Sequence, residues 1–445
     1  MSILRQGMVV VLALIVWQFY DKNWSKTSVK PRVAGYFHPA FRKVAETFRV
    51  NVESGLEKGA AFAVYHKGEL LVDLWGGWAD IEPERHWQEN TLCMTWSVVK
   101  AAAAIAVAHL VDKGHLDYKE KVAHYWPEFS SNNKENITVE SLLSHTAGLL
   151  VLNESFSLLE YKYDWPKIEK ILASQTPQWV PGTAVGYHGI TYGMYVDALV
   201  RKTDPQHRNM SQFFQEEIAN VLGIEYYIGL PPHLFHRFAR IHKTSFWEGR
   251  IDLVGSLFSL LNPYLLPVAY SWDIQIKFER LNNPDLLSIG LPSAIGAATA
   301  RSVAKMFDFV ANNGSIGSQQ LLSSSTVAGF LKPPVHGLPN IFYAENTFVR
   351  GMILRMAEGH QHVGHSGLPG NYGWGDTTIG AGFAYLTNHI TMYPQDDPRQ
   401  LSLRQSFLEC FDKYKDSLKE KFIFIIGIMN YHYSGCWYLK RKRDI

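Results

Sequence analysis

From Lys100 to Gly114 the chain runs Lys-Ala-Ala-Ala-Ala-Ile-Ala-Val-Ala-His-Leu-Val-Asp-Lys-Gly, which reads as a helix apolar nearly all round and stopped by glycine. A helix without a polar stripe has no face to offer water, so it must lie at the centre of a domain, wrapped by other elements. With 445 residues, 47% of them hydrophobic, the chain has the material for such a core. Its formal charge of +2 and the lack of a basic stripe give no electrostatic case for nucleic acid. The three cysteines, Cys93, Cys410 and Cys436, show no metal-ligand spacing and are too few for a disulfide framework. No cofactor is implied, and Cys93 reads as a small buried residue on a strand.

What starts this helix carries chemistry. Ser97-Val-Val-Lys100 sets a hydroxyl and an amine one helical turn apart on one face. A serine hydroxyl is a weak nucleophile at neutral pH and needs a proton acceptor beside it. Lysine can fill that role when burial lowers its pKa. The first turn would add backbone NH groups and the positive end of the helix dipole, suited to an anionic transition state. Spacing alone decides nothing, because Ser302-Val-Ala-Lys305 shares it at the head of what reads as an ordinary amphipathic helix ending at Asn312-Asn-Gly314. Ser97 differs in following Thr91-Leu-Cys-Met-Thr-Trp96, which looks extended, and in leading the apolar helix.

Two further stretches complete the set, Tyr187-His-Gly189 and His365-Ser-Gly367. Taken singly, Lys100 would be a helix-end lysine snorkelling from an apolar surface, Tyr187 a satisfied core tyrosine and His365 a structural histidine. Gly364-His-Ser-Gly367 also misses the Gly-x-Ser-x-Gly elbow, because Leu368 stands where the second glycine belongs. His145, in Leu-Ser-His-Thr-Ala-Gly, reads as a loop-ordering residue with no catalytic role.

In order along the chain come Ala61-Phe-Ala-Val-Tyr-His-Lys-Gly-Glu-Leu-Leu-Val-Asp-Leu-Trp-Gly-Gly77, Ser97-Val-Val-Lys100, His124-Tyr-Trp-Pro-Glu-Phe129 and Ile137-Thr-Val-Glu-Ser-Leu-Leu-Ser-His-Thr-Ala-Gly-Leu149. Trp179-Val-Pro-Gly182, Tyr187-His-Gly-Ile-Thr-Tyr-Gly193, Gly364-His-Ser-Gly367 and Tyr385-Leu-Thr-Asn388 follow. This ordered set resembles the serine beta-lactamase-related family, above all its class C-like esterases and the eukaryotic beta-lactamase-like proteins, over roughly residues 35 to 415. The resemblance implies an α+β, beta-lactamase/transpeptidase-like fold: an antiparallel sheet flanked by helices, a mostly helical lobe over about 120–290, and the site in the cleft between. It implies Ser97 as the nucleophile that forms an acyl-enzyme, with Lys100 and Tyr187 sharing the proton. It further implies that Tyr187 activates the hydrolytic water, that the strand bearing His365, Ser366 and Gly367 forms the facing wall, and that the NH groups of Ser97 and Leu368 form the oxyanion hole.

Two departures bear on substrate. Where beta-lactamases usually carry asparagine two residues after the tyrosine, this chain has Gly189, so the amide that helps hold an acylamide is missing. Where they usually carry lysine it has His365, and free histidine, with a pKa of about 6.5, is mostly neutral at pH 7. Both changes favour a neutral ester or amide over an anionic lactam.

The ends read differently from the middle. Arg5 precedes the apolar run Met8–Trp17, the core of a signal peptide or, with Gln18-Phe-Tyr20, a signal anchor. No small-x-small cleavage site follows, and a mitochondrial presequence would be poor in arginine. Five Asn-x-Ser/Thr triplets, at Asn23, Asn136, Asn153, Asn209 and Asn313, permit a secretory route. Residues 1–34 are therefore taken as targeting segment and linker, 35–420 as the domain, and 421–445 as an apolar and basic tail outside the family pattern. A helix from about Pro39 to Leu56, a hairpin turning at Lys67-Gly68, strands near 362–367 and 378–387 in one sheet with that hairpin, and a closing helix over Asp397–Tyr414 make up the rest. The apolar stretch Leu253–Trp272, broken by Pro263 and Pro267, is buried core or a lid over an acyl pocket. The function expected is a serine hydrolase acting on a small ester, an amide or a short peptide, with membrane association through the N-terminus; a peptidase of the same fold and a silent scaffold protein are the alternatives.

Overall fold

The computed structural model describes residues 29–242, 278–333, 337–342, 347–368, 370–390 and 397–417. Its main sheet is sorted by alternation. Along one strand Ala60, Phe62 and Val64 enter one apolar cluster, and Ala61 and Ala63 enter the cluster on the other side. In chain order the elements that frame the site are strand β1 (Val33–Phe37), helix α1 (Arg42–Glu53), strands β2 (Gly59–His66) and β3 (Glu69–Asp80), and helices α2 (Val98–Asp112), α3 (Thr191–Thr203) and α4 (Ala300–Ala311). Strands β4 (Thr347–Val349), β5 (Met352–Ala357), β6 (His360–Gly367), β7 (Asn371–Asp376) and β8 (Ala381–Thr387) follow, and then a helix α5 over 398–417.

The sheet runs β1-β3-β2-β8-β7-β6-β5-β4, antiparallel throughout, with Arg85–His86 pairing to the end of β3. The β2–β3 hairpin turns at Lys67 and Gly68, whose φ of 52° and 88° are the two left-handed residues of a tight hairpin turn. Asp308 of α4 accepts from both of those amides, at 3.0 and 2.6 Å, and so ties the helix to the turn. The expected late strands are β6 and β8; residues 377–380 form the turn before β8, and β7 lies between the two.

Helices α1 and α5 cover one face, where Phe41 stacks on Phe407 at 4.8 Å. Helices α2 and α4 lie in the cluster on the other face, and α4 contacts β2, β7 and β8. Every residue of α2 from Val98 to Ala108 is buried, as its all-round apolar sequence requires. Between α2 and α4 the described residues form α3 and several shorter helices, with two- and three-residue strands.

Cys93 and Cys410 are buried free thiols. Among the described residues no helix is long and apolar enough to cross a membrane. The N-terminal apolar run, Leu253–Trp272 and the tail 421–445 lie outside the described residues.

Candidate active site

The segment ahead of Ser97 is a strand for only two residues. Cys93–Met94 pairs with the strand Gly296–Ala298, and Thr95 N donates to Gly296 O at 2.8 Å. The chain then reverses at Trp96, a non-glycine residue with φ of 50°. Such a backbone costs free energy and persists only where the surroundings hold it. Ser97 follows as N-cap of α2, half-buried, with its Oγ not engaged in capping. The amides of Val98, Val99 and Lys100 bond to Thr95, Trp96 and Ser97 carbonyls, so the first turn does not offer three loose NH groups to an anion; the Ser97 amide takes no part in these bonds.

Lys100 is fully buried one turn on. Its Nζ donates to Gly189 O (2.7 Å), Ser293 O (2.6 Å) and Ser97 Oγ (3.2 Å), and lies 4.9 Å from the centre of the Tyr187 ring. Burial holds its pKa well below the ordinary lysine value, with no carboxylate to oppose the shift. Tyr187 reaches the same hydroxyl from the opposite lobe, its Oη donating to Ser97 Oγ at 2.9 Å. It comes from the turn between Val185–Gly186 and α3, in which Gly189 N bonds back to Tyr187 O.

The end of β6 forms the wall. His365 is buried with its ring centre 6.0 Å from that of Tyr187, and its Nδ1 bonds to Ser366 O at 2.5 Å. Burial and the nearby Lys100 charge push the imidazole down to about 3, against the small lift from Ser366. The histidine is neutral at any pH near 7 and offers no cation to a substrate carboxylate. Ser366 is exposed. Gly367 is required by close approach: a Cβ there would lie 3.0 Å from Ser97 N and 2.8 Å from Thr95 O. Leu368, 39% exposed, continues the chain from that contact.

The structure thus brings Ser97, Lys100, Tyr187, His365 and Gly367 together from three separate stretches. It adds Phe348 and Ser293, which the motifs did not mark, and it sets His145, expected to order a loop, against the tyrosine. Phe348 of β4 stacks on Tyr187 at 5.4 Å and 10° between planes, and His145 meets the Tyr187 ring edge-on at 5.1 Å. Ser293 supplies a carbonyl to Lys100 while its Oγ accepts from Gly193 N (2.6 Å) and donates to Ile190 O. A backbone acceptor leaves no side-chain signature, so nothing in the spacing pointed to Ser293. Among the described residues no group of His, Cys, Asp or Glu is arranged to hold a metal ion.

Known proteins share this arrangement of elements. The chain is 28% identical over 389 residues to the esterase/beta-lactamase LipL of Mycobacterium tuberculosis, covering 81% of this chain and 83% of LipL. The crystal structure of a family VIII carboxylesterase superposes with a TM-score of 0.75 at 32% identity, covering 85% of this chain and all of that one. A penicillin-binding protein homolog from Caulobacter crescentus gives 0.73 at 28% identity, over 85% of this chain and all of that one. The sequence pattern of one family, Beta-lactamase, matches residues 44–405, a span that holds every residue of the site just described. With its central helix, its sheet and the serine between them all inside that match, the chain belongs to the beta-lactamase family.

Proposed function

We propose that the protein is a serine hydrolase that cleaves a small ester or amide through an acyl-enzyme on Ser97. The observation that carries this is the hydrogen-bond count at Lys100. A neutral amine has two N–H groups and one lone pair. Gly189 O and Ser293 O take two N–H bonds at 2.7 and 2.6 Å, which leaves the third position facing Ser97 Oγ at 3.2 Å. Burial favours the unprotonated amine, and once Nζ gives up its third proton the position that donates to Ser97 Oγ becomes a lone pair able to take the Ser97 proton.

Ser97 Oγ then attacks the substrate carbonyl carbon and its proton passes to Lys100 Nζ. The oxygen that becomes negative is received by the NH groups of Ser97 and Leu368. Tyr187 Oη, on the other side of Oγ, gives its proton to the leaving alkoxide or amine and in the second half takes one back from the water that attacks the acyl carbonyl, while Lys100 Nζ returns its extra proton to the departing Ser97 Oγ, so that all three side chains end as they began. LipL and the family VIII carboxylesterase, named as esterases, support the ester side of this reading. The neutral His365 and the absence of an amide side chain at Gly189 argue against efficient beta-lactam turnover.

The test is labelling with a fluorophosphonate together with hydrolysis of p-nitrophenyl acetate. Wild type should label and turn over; folded wild type that takes no label would overturn the hydrolase reading, and penicillin turnover at the rate of dedicated lactamases would overturn the substrate reading. For the compartment, the apolar run 8–17 supports membrane or secretory placement. Extraction of the full chain by alkaline carbonate, while a chain lacking residues 1–28 behaves the same, would count against it.

A further inference from the structure

One residue holds the tyrosine loop from both sides. Gly186 N donates to His145 O at 3.0 Å, and His188 N donates to His145 Nδ1 at 3.1 Å, so the amides before and after Tyr187 both close on His145. The imidazole is wholly buried, and its ring centre lies 5.1 Å from that of Tyr187 and 4.5 Å from that of Phe348, the ring on which Tyr187 stacks. To reach these partners His145 takes a left-handed backbone, φ 60°. Few non-glycine residues take that conformation, although histidine does so more readily than most, and it is held here by the contacts just described.

The proton inventory is decided by the same contacts. Nδ1 accepts a hydrogen bond, so the ring proton is on Nε2, which is buried and has no hydrogen-bond partner among the described residues. A second proton would have to sit on Nδ1, against the His188 N–H. The groups that face the ring, Lys100, His188, His365, Tyr187 and Tyr192, include no carboxylate that would favour a cation.

We propose that His145 is a positioning residue for Tyr187: as a neutral acceptor it sets the loop so that the phenol oxygen meets Ser97 Oγ. Its effect on rate rests on the hydrolase reading; its effect on the loop does not. The loop has other ties, among them His188 Nε2 to Leu149 N (2.8 Å), His188 Nδ1 to Gly186 O (2.6 Å), Thr191 Oγ1 to Leu149 O (2.7 Å) and Gly189 O to Lys100 Nζ (2.7 Å), so losing the His145 acceptor should loosen it without unfolding the lobe.

The test compares His145→Gly, which frees the backbone and removes the acceptor, with His145→Asn, which tolerates the left-handed backbone and keeps an oxygen near the place of Nδ1. In His145→Gly, amide exchange over residues 185–189 should quicken and kcat should fall roughly 100-fold with KM little changed, the cost of a misplaced catalytic group. His145→Asn should restore the exchange protection and most of kcat. Unchanged exchange in His145→Gly, or an asparagine variant as impaired as the glycine one, would overturn the proposal. Nitrogen-15 shifts of wild-type His145 test it without any variant: a neutral ring with an unprotonated Nδ1 from pH 5 to 8 is expected, and a protonated Nδ1 would overturn it. An inactive, unlabelled wild type with normal His145→Gly loosening would defeat the hydrolase reading and leave the positioning role standing.

Discussion

Helices α2 and α4 both carry Ser-x-x-Lys near their N-termini, and the two copies are used in opposite ways. On α4 the hydroxyl is consumed by structure: Ser302 Oγ accepts from Glu225 N at 2.9 Å and from Thr299 Oγ1 at 2.8 Å, and Lys305 turns away to donate to Leu222 O at 2.7 Å. On α2 the serine caps nothing, and the lysine is drawn back over it by two carbonyls from other parts of the chain, Gly189 O and Ser293 O. The difference does not lie in the four residues. It lies in where the neighbouring backbone puts its acceptors, and in whether the lysine head is left half in water or taken wholly out of it.

Substitution can break this comparison in steps. Ser97→Ala should abolish fluorophosphonate labelling and reduce ester hydrolysis to background, while Ser302→Ala keeps both; labelling lost in Ser302→Ala with fold intact would invert the assignment. Next in size, Tyr187→Phe should lower kcat by about 100-fold or more, the range of one lost acid–base group, with the thermal midpoint nearly unchanged. The pH dependence sharpens the contrast further. Because burial lowers the Lys100 pKa, the active amine is lost as pH falls through that lowered value, so activity should drop on the acid side in wild type and in Lys305→Met alike.

Stability carries the same signature. The unfolded chain binds the Lys100 proton up to its ordinary value of 10.5, whereas the folded chain releases it earlier, so stability should rise with pH between the two, by about 1.4 kcal/mol per unit at most. Denaturant titrations over that window should show the rise flattened in Lys100→Met and kept in Lys305→Met. The smallest expected effect is on α4 itself: Ser302→Ala should cost about 1 kcal/mol by orphaning the Glu225 amide, with kcat unaffected.

The side chains of the site were legible in the sequence because chemistry restricts them: a hydroxyl, an amine and a phenol in family order. The parts that aim them were less so. Gly189 and Ser293 act through carbonyls that any residue possesses, and His145, read from the sequence only as a loop-ordering residue, gave no sign that the loop it meets is the one carrying Tyr187. In the fold, the β2–β3 hairpin announced itself by alternation and a Lys-Gly turn, whereas β7, Asn-Tyr-Gly-Trp-Gly-Asp, did not read as a strand. Its glycines are there for α4, since a Cβ on Gly373 would lie 2.4 Å from the Phe307 ring. Helix packing had overridden strand propensity at that position.

Ser97, Tyr187, Ser293 and Gly367 reach one point from positions spread over most of the chain, and β2 finds its partner β8 only after some three hundred residues. During synthesis Ser97 and Lys100 are made early, and the wall on β6 is made some 260 residues later. A chain still on the ribosome therefore carries that pair without its wall, and on the proposed hydrolase reading a product cut short before β6 should be inert rather than weakened.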